Sequence, residues 1–199
     1  MSDPIELFSR NWQTARSEGD PNAHYCTLAT VSDCGQVAMR TLVLREVVNG
    51  RFTIFTNATS PKWRDLVASS SFELLIFWPG LMQQYRVRGS LETVPEAVMK
   101  SHWLRKPYEA KILDLFYARV ANQSSILDSR EQFLAGIERL KQEFPSASDI
   151  DYPDQVKGVV IDAHYIEFWQ GSDADRLHHR TLYLRSEKSE PWVKKIVVP

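Results

Sequence analysis

Cysteine is scarce in this chain, with two among 199 residues. Cys26 and Cys34 stand eight positions apart, and no second Cys/His pair lies at zinc-ligand spacing. That arithmetic argues against a disulfide framework and against a metal site, and it leaves two ordinary thiols. Long apolar runs are also missing. No stretch approaches the roughly 20 residues that cross a bilayer, and the opening MSDPIELFSRNW lacks the charged-then-apolar layout of a secretory signal. The expectation is a cytoplasmic protein with no membrane partner. Neither sign of charge dominates either: 24 basic residues face 25 acidic ones. No overall basic field exists to hold nucleic acid, so any anion site must be local. Neither a strand-linked GxGxxG nor GxxxxGK[ST] occurs, which removes the support for a dinucleotide fold or a P-loop. Internal repeats and low-complexity tracts are absent as well.

A hydrophobic content of 43% over this length supports a sizeable core and one domain over 1–199. Asp3, Pro4 and Glu6 read as an N-cap, a first-turn proline and a capping-box partner. Ile5, Phe8 and Trp12 then recur at helical spacing, which predicts a helix within 1–20. From Tyr25 the pattern turns to short β-rich segments: Tyr25 to Val31, Gln36 to Glu46, Arg51 to Thr56, Phe72 to Trp78 and Gln84 to Thr93. The separators Ser32-Asp33-Cys34-Gly35, Asn49-Gly50 and Pro79-Gly80 are turn signals, and antiparallel hairpins follow. Lys62 to Ser69, Pro95 to Leu104, Glu109 to Val120 and Arg130 to Phe144 read as helices, and Pro145 to Asp154 as a loop. Strands return at 155–199: Lys157 to Ile161, Tyr165 to Gln170, Arg180 to Arg185 and Trp192 to Val198. Many short strands around a few helices predict a mostly-β or α+β antiparallel barrel with flanking helices.

Three clusters hold candidate chemistry. Ile166-Glu167-Phe168-Trp169-Gln170-Gly171 is followed by Arg176-Leu177-His178-His179-Arg180. On an extended segment, alternation puts Arg176, His178 and Arg180 on one face; a solvated charged face is the plain alternative. Arg40-Thr41-Leu42-Val43-Leu44-Arg45 is an apolar strand with arginines at both ends, which serve two anions, or one ligand and one salt bridge. Phe55-Thr56-Asn57-Ala58-Thr59-Ser60-Pro61-Lys62 gathers hydroxyls, amides and a lysine at a strand-to-helix turn, a phosphate-binding arrangement or an ordinary helix cap.

In combination, IEFWQGSDADRLHHR, RTLVLR, FTNATSPK, WPGLMQQYRVRG and NQSS make the chain resemble the pyridoxamine 5'-phosphate oxidases from Tyr25 to Pro199, in motif order and approximate spacing. The resemblance implies a split β-barrel of the FMN-binding type, working as a homodimer with two interfacial FMN sites. It implies FMN contacts from Arg40, Thr41, Leu42, Val43, Leu44, Arg45, Phe55, Thr56, Lys62, Gln84, Gln123, Ser124, Trp169 and Arg180. Arg45, Arg105, Arg176, Leu177 and His178 are implied for the substrate, with Arg176 and His178 as the catalytic pair. It assigns Gln123, Ser124 and Trp169 to a different subunit from Arg40. The implied reaction oxidises pyridoxamine or pyridoxine 5'-phosphate to pyridoxal 5'-phosphate, with O2 as acceptor and hydrogen peroxide as product. A related oxidase of another planar substrate, such as a phenazine precursor, or a non-catalytic flavin or pyridoxal-phosphate binder are the alternatives. The sequence departs from the family pattern at four places. Pro61 stands in the middle of a Ser-Arg-Lys turn, Arg45 replaces a lysine, Ser101 occupies a substrate-binding tyrosine position, and 106–121 is longer by about five residues. His102 and Tyr108 are the neighbouring side chains that can replace that tyrosine.

Overall fold

The computed structural model describes residues 3–69 and 71–199. Where apolar and polar residues alternate the chain is extended, because successive strand side chains point to opposite faces. Among the described residues this gives β1 (Tyr25–Val31), β2 (Val37–Val48), β3 (Arg51–Asn57), β4 (Phe72–Trp78), β5 (Gln83–Thr93), β6 (Val156–Gln170), β7 (His179–Leu184) and β8 (Val193–Val197). The helices are α1 (Pro4–Ser17), α2 (Pro61–Ala68), α3 (Glu96–Leu104), α4 (Tyr108–Arg119) and α5 (Arg130–Glu143). All strand pairs are antiparallel, in the order β3-β2-β1-β4-β5-β6-β7-β8. β3 also pairs with β6, so six strands close into a barrel while β7 and β8 extend the sheet beyond it. The expected α+β split barrel with flanking helices is the architecture found.

Inside the barrel, Phe72, Leu74, Ile76 and Trp78 of β4 meet Tyr85 and Val87 of β5. α1 closes one end with Phe8, whose ring stands 4.9 to 5.8 Å from those of Trp12, Phe52, Trp78 and Tyr85. Its start is fixed by Asp3, which accepts the Ile5 N–H at 2.8 Å. A second apolar cluster joins α3, α4 and α5, through Met99, Trp103, Ile112, Phe116 and Leu140, to Val156 and Val160 of β6. The β2–β3 turn is Asn49-Gly50, both with positive φ (51° and 79°), the backbone that a two-residue hairpin turn demands. At Gly89 the β5–β6 register shifts, and a Cβ there would lie 2.2 Å from the Asp162 carbonyl oxygen.

One element differs from the sequence expectation. Lys157 to Ile161 and Tyr165 to Gln170 are not two strands but the halves of β6, which runs unbroken through Asp162 and His164. Asp162 is buried there because Arg51, Arg185 and Lys188 surround its carboxylate at 3.5, 3.0 and 3.1 Å. Among the described residues, no helix is long and apolar enough to cross a membrane.

Candidate functional site

At one edge of the barrel, β2 and the β3–α2 turn bring together cations far apart in sequence. Arg40 pairs with Leu28 across β1, and its Nη1 donates to the Leu28 carbonyl and the Thr30 hydroxyl at 3.2 and 2.8 Å. The Thr30 hydroxyl in turn donates to Asp65 Oδ2 at 2.7 Å. Ser60 caps α2 and Pro61 occupies its first turn, where a missing N–H costs nothing. Lys62 is therefore turned inward and buried, with Nζ donating to Gln123 Oε1 at 2.7 Å. Burial first, and the Arg40 charge second, bring its pKa down to about 8. The Gln123 N–H donates to Thr59 Oγ1 at 3.0 Å, which ties the 122–125 turn to the same corner, and Ser124 there holds a left-handed φ of 70°. Thr56 Oγ1 lies 3.4 Å from Ser60 Oγ.

Beside this corner a cavity of about 330 Å³ runs between β3 and α3, with Arg45, Phe55, His102, Trp103, Arg105 and Lys106 in its wall. The Arg45 guanidinium stacks 5.0 Å over the Phe55 ring, and His102 meets the same ring edge-on at 4.9 Å. Lys106 is ion-paired to Asp114 of α4, whose carboxyl is raised above its usual range by burial despite that lysine. No carboxylate lines the cavity, so its aromatic floor and cationic rim suit a flat anion. Ser101 does not contribute, since its hydroxyl turns back to the Val98 carbonyl at 2.8 Å. Tyr108 is committed to the Phe144 carbonyl at 2.7 Å, which leaves His102 as the side chain facing the cavity.

A second group of residues lies across the sheet. Gln84, Trp169 and Arg180 are direct cross-strand neighbours on β5, β6 and β7, and so share one face. His178 packs on the Trp169 ring at 5.0 Å. Its Nδ1 accepts the Ser172 N–H at 3.0 Å, so the neutral imidazole keeps its proton on Nε2. Arg180 is held by Glu167, a buried carboxylate within the Ile166-Glu167-Phe168-Trp169 segment whose part spacing alone does not reveal.

Thr41 and Val43 point to that same outer face. The row Thr41–Thr27–Leu75–Arg86–Glu167 runs straight across β2, β1, β4, β5 and β6. Four strand spacings separate its ends, roughly 19 Å at about 4.8 Å each. One chain thus carries two separated half-sets on one sheet face, and the same face exposes Val37 and Met39 of β2 and Tyr25 of β1.

Two expectations are corrected. Arg176 is not on an extended segment that alternates with His178 and Arg180. It sits in the loop before β7 with φ of 60°, a left-handed residue after the turn at 173–175, so the shared-face argument fails for it. Gln123 does not belong with Trp169 on the opposite side from Arg40, because it bonds Lys62 of its own chain beside Arg40.

Residues 15–143 match the family model described as pyridoxamine 5'-phosphate oxidase, and residues 157–199 match the pyridoxine 5'-phosphate oxidase C-terminal dimerisation region. The chain belongs to the pyridoxamine 5'-phosphate oxidase family. It is 33% identical to a pyridoxine/pyridoxamine 5'-phosphate oxidase of Pseudoalteromonas atlantica over 199 residues, covering 100% of this chain and 90% of that one. It is 30% identical to one of Leptospira biflexa over 197 residues, covering 99% and 89%. Among solved structures, the fold matches PhzG from Burkholderia lata 383 in complex with tetrahydrophenazine-1-carboxylic acid, with a TM-score of 0.87, 24% identity and 100% and 94% coverage. It also matches a pyridoxamine 5'-phosphate oxidase-related, FMN-binding protein of Nostoc punctiforme PCC 73102, with a TM-score of 0.76, 17% identity and 100% and 98% coverage.

FMN is the cofactor that this family membership supports, and the residues present fit it. Two cations held side by side, Arg40 and a buried Lys62 with two N–H groups still to give, repel each other until an anion joins them, and a phosphate monoester does so. The apolar strand Leu42 to Leu44 and the Phe55 ring adjoin that corner, as a flat ring system requires.

Proposed function

We propose that the chain is an FMN-dependent oxidase that converts pyridoxamine or pyridoxine 5'-phosphate to pyridoxal 5'-phosphate, working as a homodimer with O2 as acceptor and hydrogen peroxide as product. The observation that carries this reading is the cavity between β3 and α3, which offers Arg45 and Arg105 to an anion beside the Phe55 ring and has no carboxylate in its wall. When bound, FMN would supply a two-electron acceptor for hydride from the substrate's aminomethyl or hydroxymethyl carbon, with dioxygen reduced to hydrogen peroxide in turn; for the amine substrate, water then displaces the nitrogen as ammonia to leave the aldehyde. The protein's part is to bind and orient. Arg40, Lys62, Gln123 and Ser124 neutralise and hold the FMN phosphate, while Thr41, Leu42, Val43, Leu44, Phe55 and Thr56 border its rings. Gln84, Trp169 and Arg180 come from the partner subunit's sheet face. Arg45 and Arg105 fix the substrate phosphate. Arg176 and His178 act as the catalytic pair on the substrate ring, with the His178 Nε2–H donating to a ring oxygen and Leu177, exposed in the same loop, covering it.

A second reading, oxidation of another flat anion such as a phenazine precursor, is favoured by Ser101, whose hydroxyl faces its own helix and leaves the phosphate end of the cavity without a tyrosine. One assay tests both. The protein with FMN is given pyridoxamine 5'-phosphate in air, and pyridoxal 5'-phosphate and peroxide are followed, with a reduced phenazine carboxylate in parallel. Equal release of aldehyde and peroxide supports the first reading. Turnover of the phenazine alone supports the second, and flavin binding with neither turnover makes the chain a binder.

A further inference from the structure

A cavity of about 350 Å³ opens between the first turn of α2 and the 122–125 turn, lined by Thr59, Pro61, Arg64, Gln123 and Ser124 among others. Gln123 is both a wall of this cavity and the hydrogen-bond partner of Lys62, so the cavity lies next to the Arg40–Lys62 pair. Its lining contains no carboxylate. Arg64 forms no ion pair among the described residues, as Arg40 and Arg45 form none. Pro61, which opens the helix, has neither charge nor N–H to offer an anion. Arg64 stands three residues on, on the same helix face, and helix side chains lean back toward the N-terminus.

We propose that Arg64 is the third cation of the FMN phosphate site, supplying from the second turn of α2 the charge that Pro61 does not bring. The inference rests on the FMN reading above. A phosphate monoester carries nearly two negative charges and three acceptor oxygens at neutral pH, so it has room for a guanidinium beyond Arg40 and Lys62.

The test compares FMN with riboflavin, the same ring system without phosphate, by flavin fluorescence titration of the full-length protein stripped of flavin. Arg64→Ala is expected to weaken FMN about ten-fold, the loss of one charge-assisted contact, and to leave riboflavin within about two-fold. Arg64→Lys should retain much of the FMN affinity, and Pro61→Arg should recover it in the Arg64→Ala background. Unchanged FMN affinity in Arg64→Ala overturns the proposal, as does an equal loss of FMN and riboflavin. Failure of the unaltered protein to bind either flavin overturns the FMN reading itself, and this proposal with it.

Discussion

Glu167 holds Arg180 through one carboxylate oxygen and Arg86 through the other. Its Oε1 accepts from Nε and Nη2 of Arg180 at 3.0 and 2.7 Å, and its Oε2 from Nη1 of Arg86 at 3.3 Å and the Tyr165 hydroxyl at 3.1 Å. The carboxylate is 5% exposed, while the two arginine side chains are 26% and 32% exposed, so water screens the pair on one side only. Arg180 is therefore aimed by a residue that need not touch any ligand.

Glu167→Gln keeps the shape and removes the charge. Because the arginines are partly hydrated, the expected loss is about 1–3 kcal/mol rather than the full cost of a broken buried pair. Urea unfolding measures it, and FMN titration of the same variant should show weaker binding as Arg180 loses its anchor. Unchanged stability and unchanged flavin affinity would mean the network is ornamental.

Lys62 makes flavin affinity depend on pH. Its folded pKa of about 8 lies below the ordinary lysine value of 10.5, so between the two the unfolded chain binds more protons and the flavin-free protein gains stability as pH rises. Phosphate binding needs the protonated form and draws that pKa back up. FMN affinity is accordingly expected to fall as pH rises through 8, while riboflavin affinity stays flat across the same range. In Lys62→Met the FMN profile between pH 7 and 9 should lose that step; a step that persists assigns it to another group.

Arg176 and Arg40 should fail in different ways. Arg176, exposed on a left-handed loop residue, is placed against substrate, so Arg176→Ala is expected to lower turnover at saturating FMN roughly 30- to 1000-fold with little change in flavin affinity. Arg40→Ala should lose flavin and recover much of its activity when FMN is added in excess. Steady-state rates against FMN concentration for both variants separate the two ends of the site, and the reverse pattern would exchange their roles.

Much of this architecture is legible in the residues themselves. β1 and β4 begin and end where the alternation of Tyr25 to Val31 and Phe72 to Trp78 says they do, because a strand's period is local. Asn49-Gly50 likewise names its own turn. What the sequence conceals is non-local. Asp162 looks like a strand breaker until three cations from β3, from just beyond β7 and from the following loop are folded around it. Alternation does not place Arg176, because the backbone turns at 173–175 before the strand begins. Gln123 lies beside Lys62 because the chain returns through α3 and α4 to bring the 122–125 turn there, a path that spacing alone does not reveal. Arg64 carries no motif, and only the cavity it lines draws notice to it.

The separation of Thr41 from Glu167 by four strands sets the last expectation. If each site draws Arg40 from one chain and Arg176 from its partner, two damaged chains can repair each other. In a mixed dimer of Arg40→Ala and Arg176→Ala, one site inherits both lesions and the other inherits neither. Random pairing of equal amounts makes half of the dimers mixed, each with one intact site of two, so activity should recover to roughly a quarter of the unaltered protein's. The assay runs at an FMN concentration too low to load Arg40→Ala, where both parents are nearly inactive, after co-expression or joint refolding. Were both arginines to serve the same site from one chain, every site in the mixed dimer would carry one lesion, and activity would stay at the level of the parents.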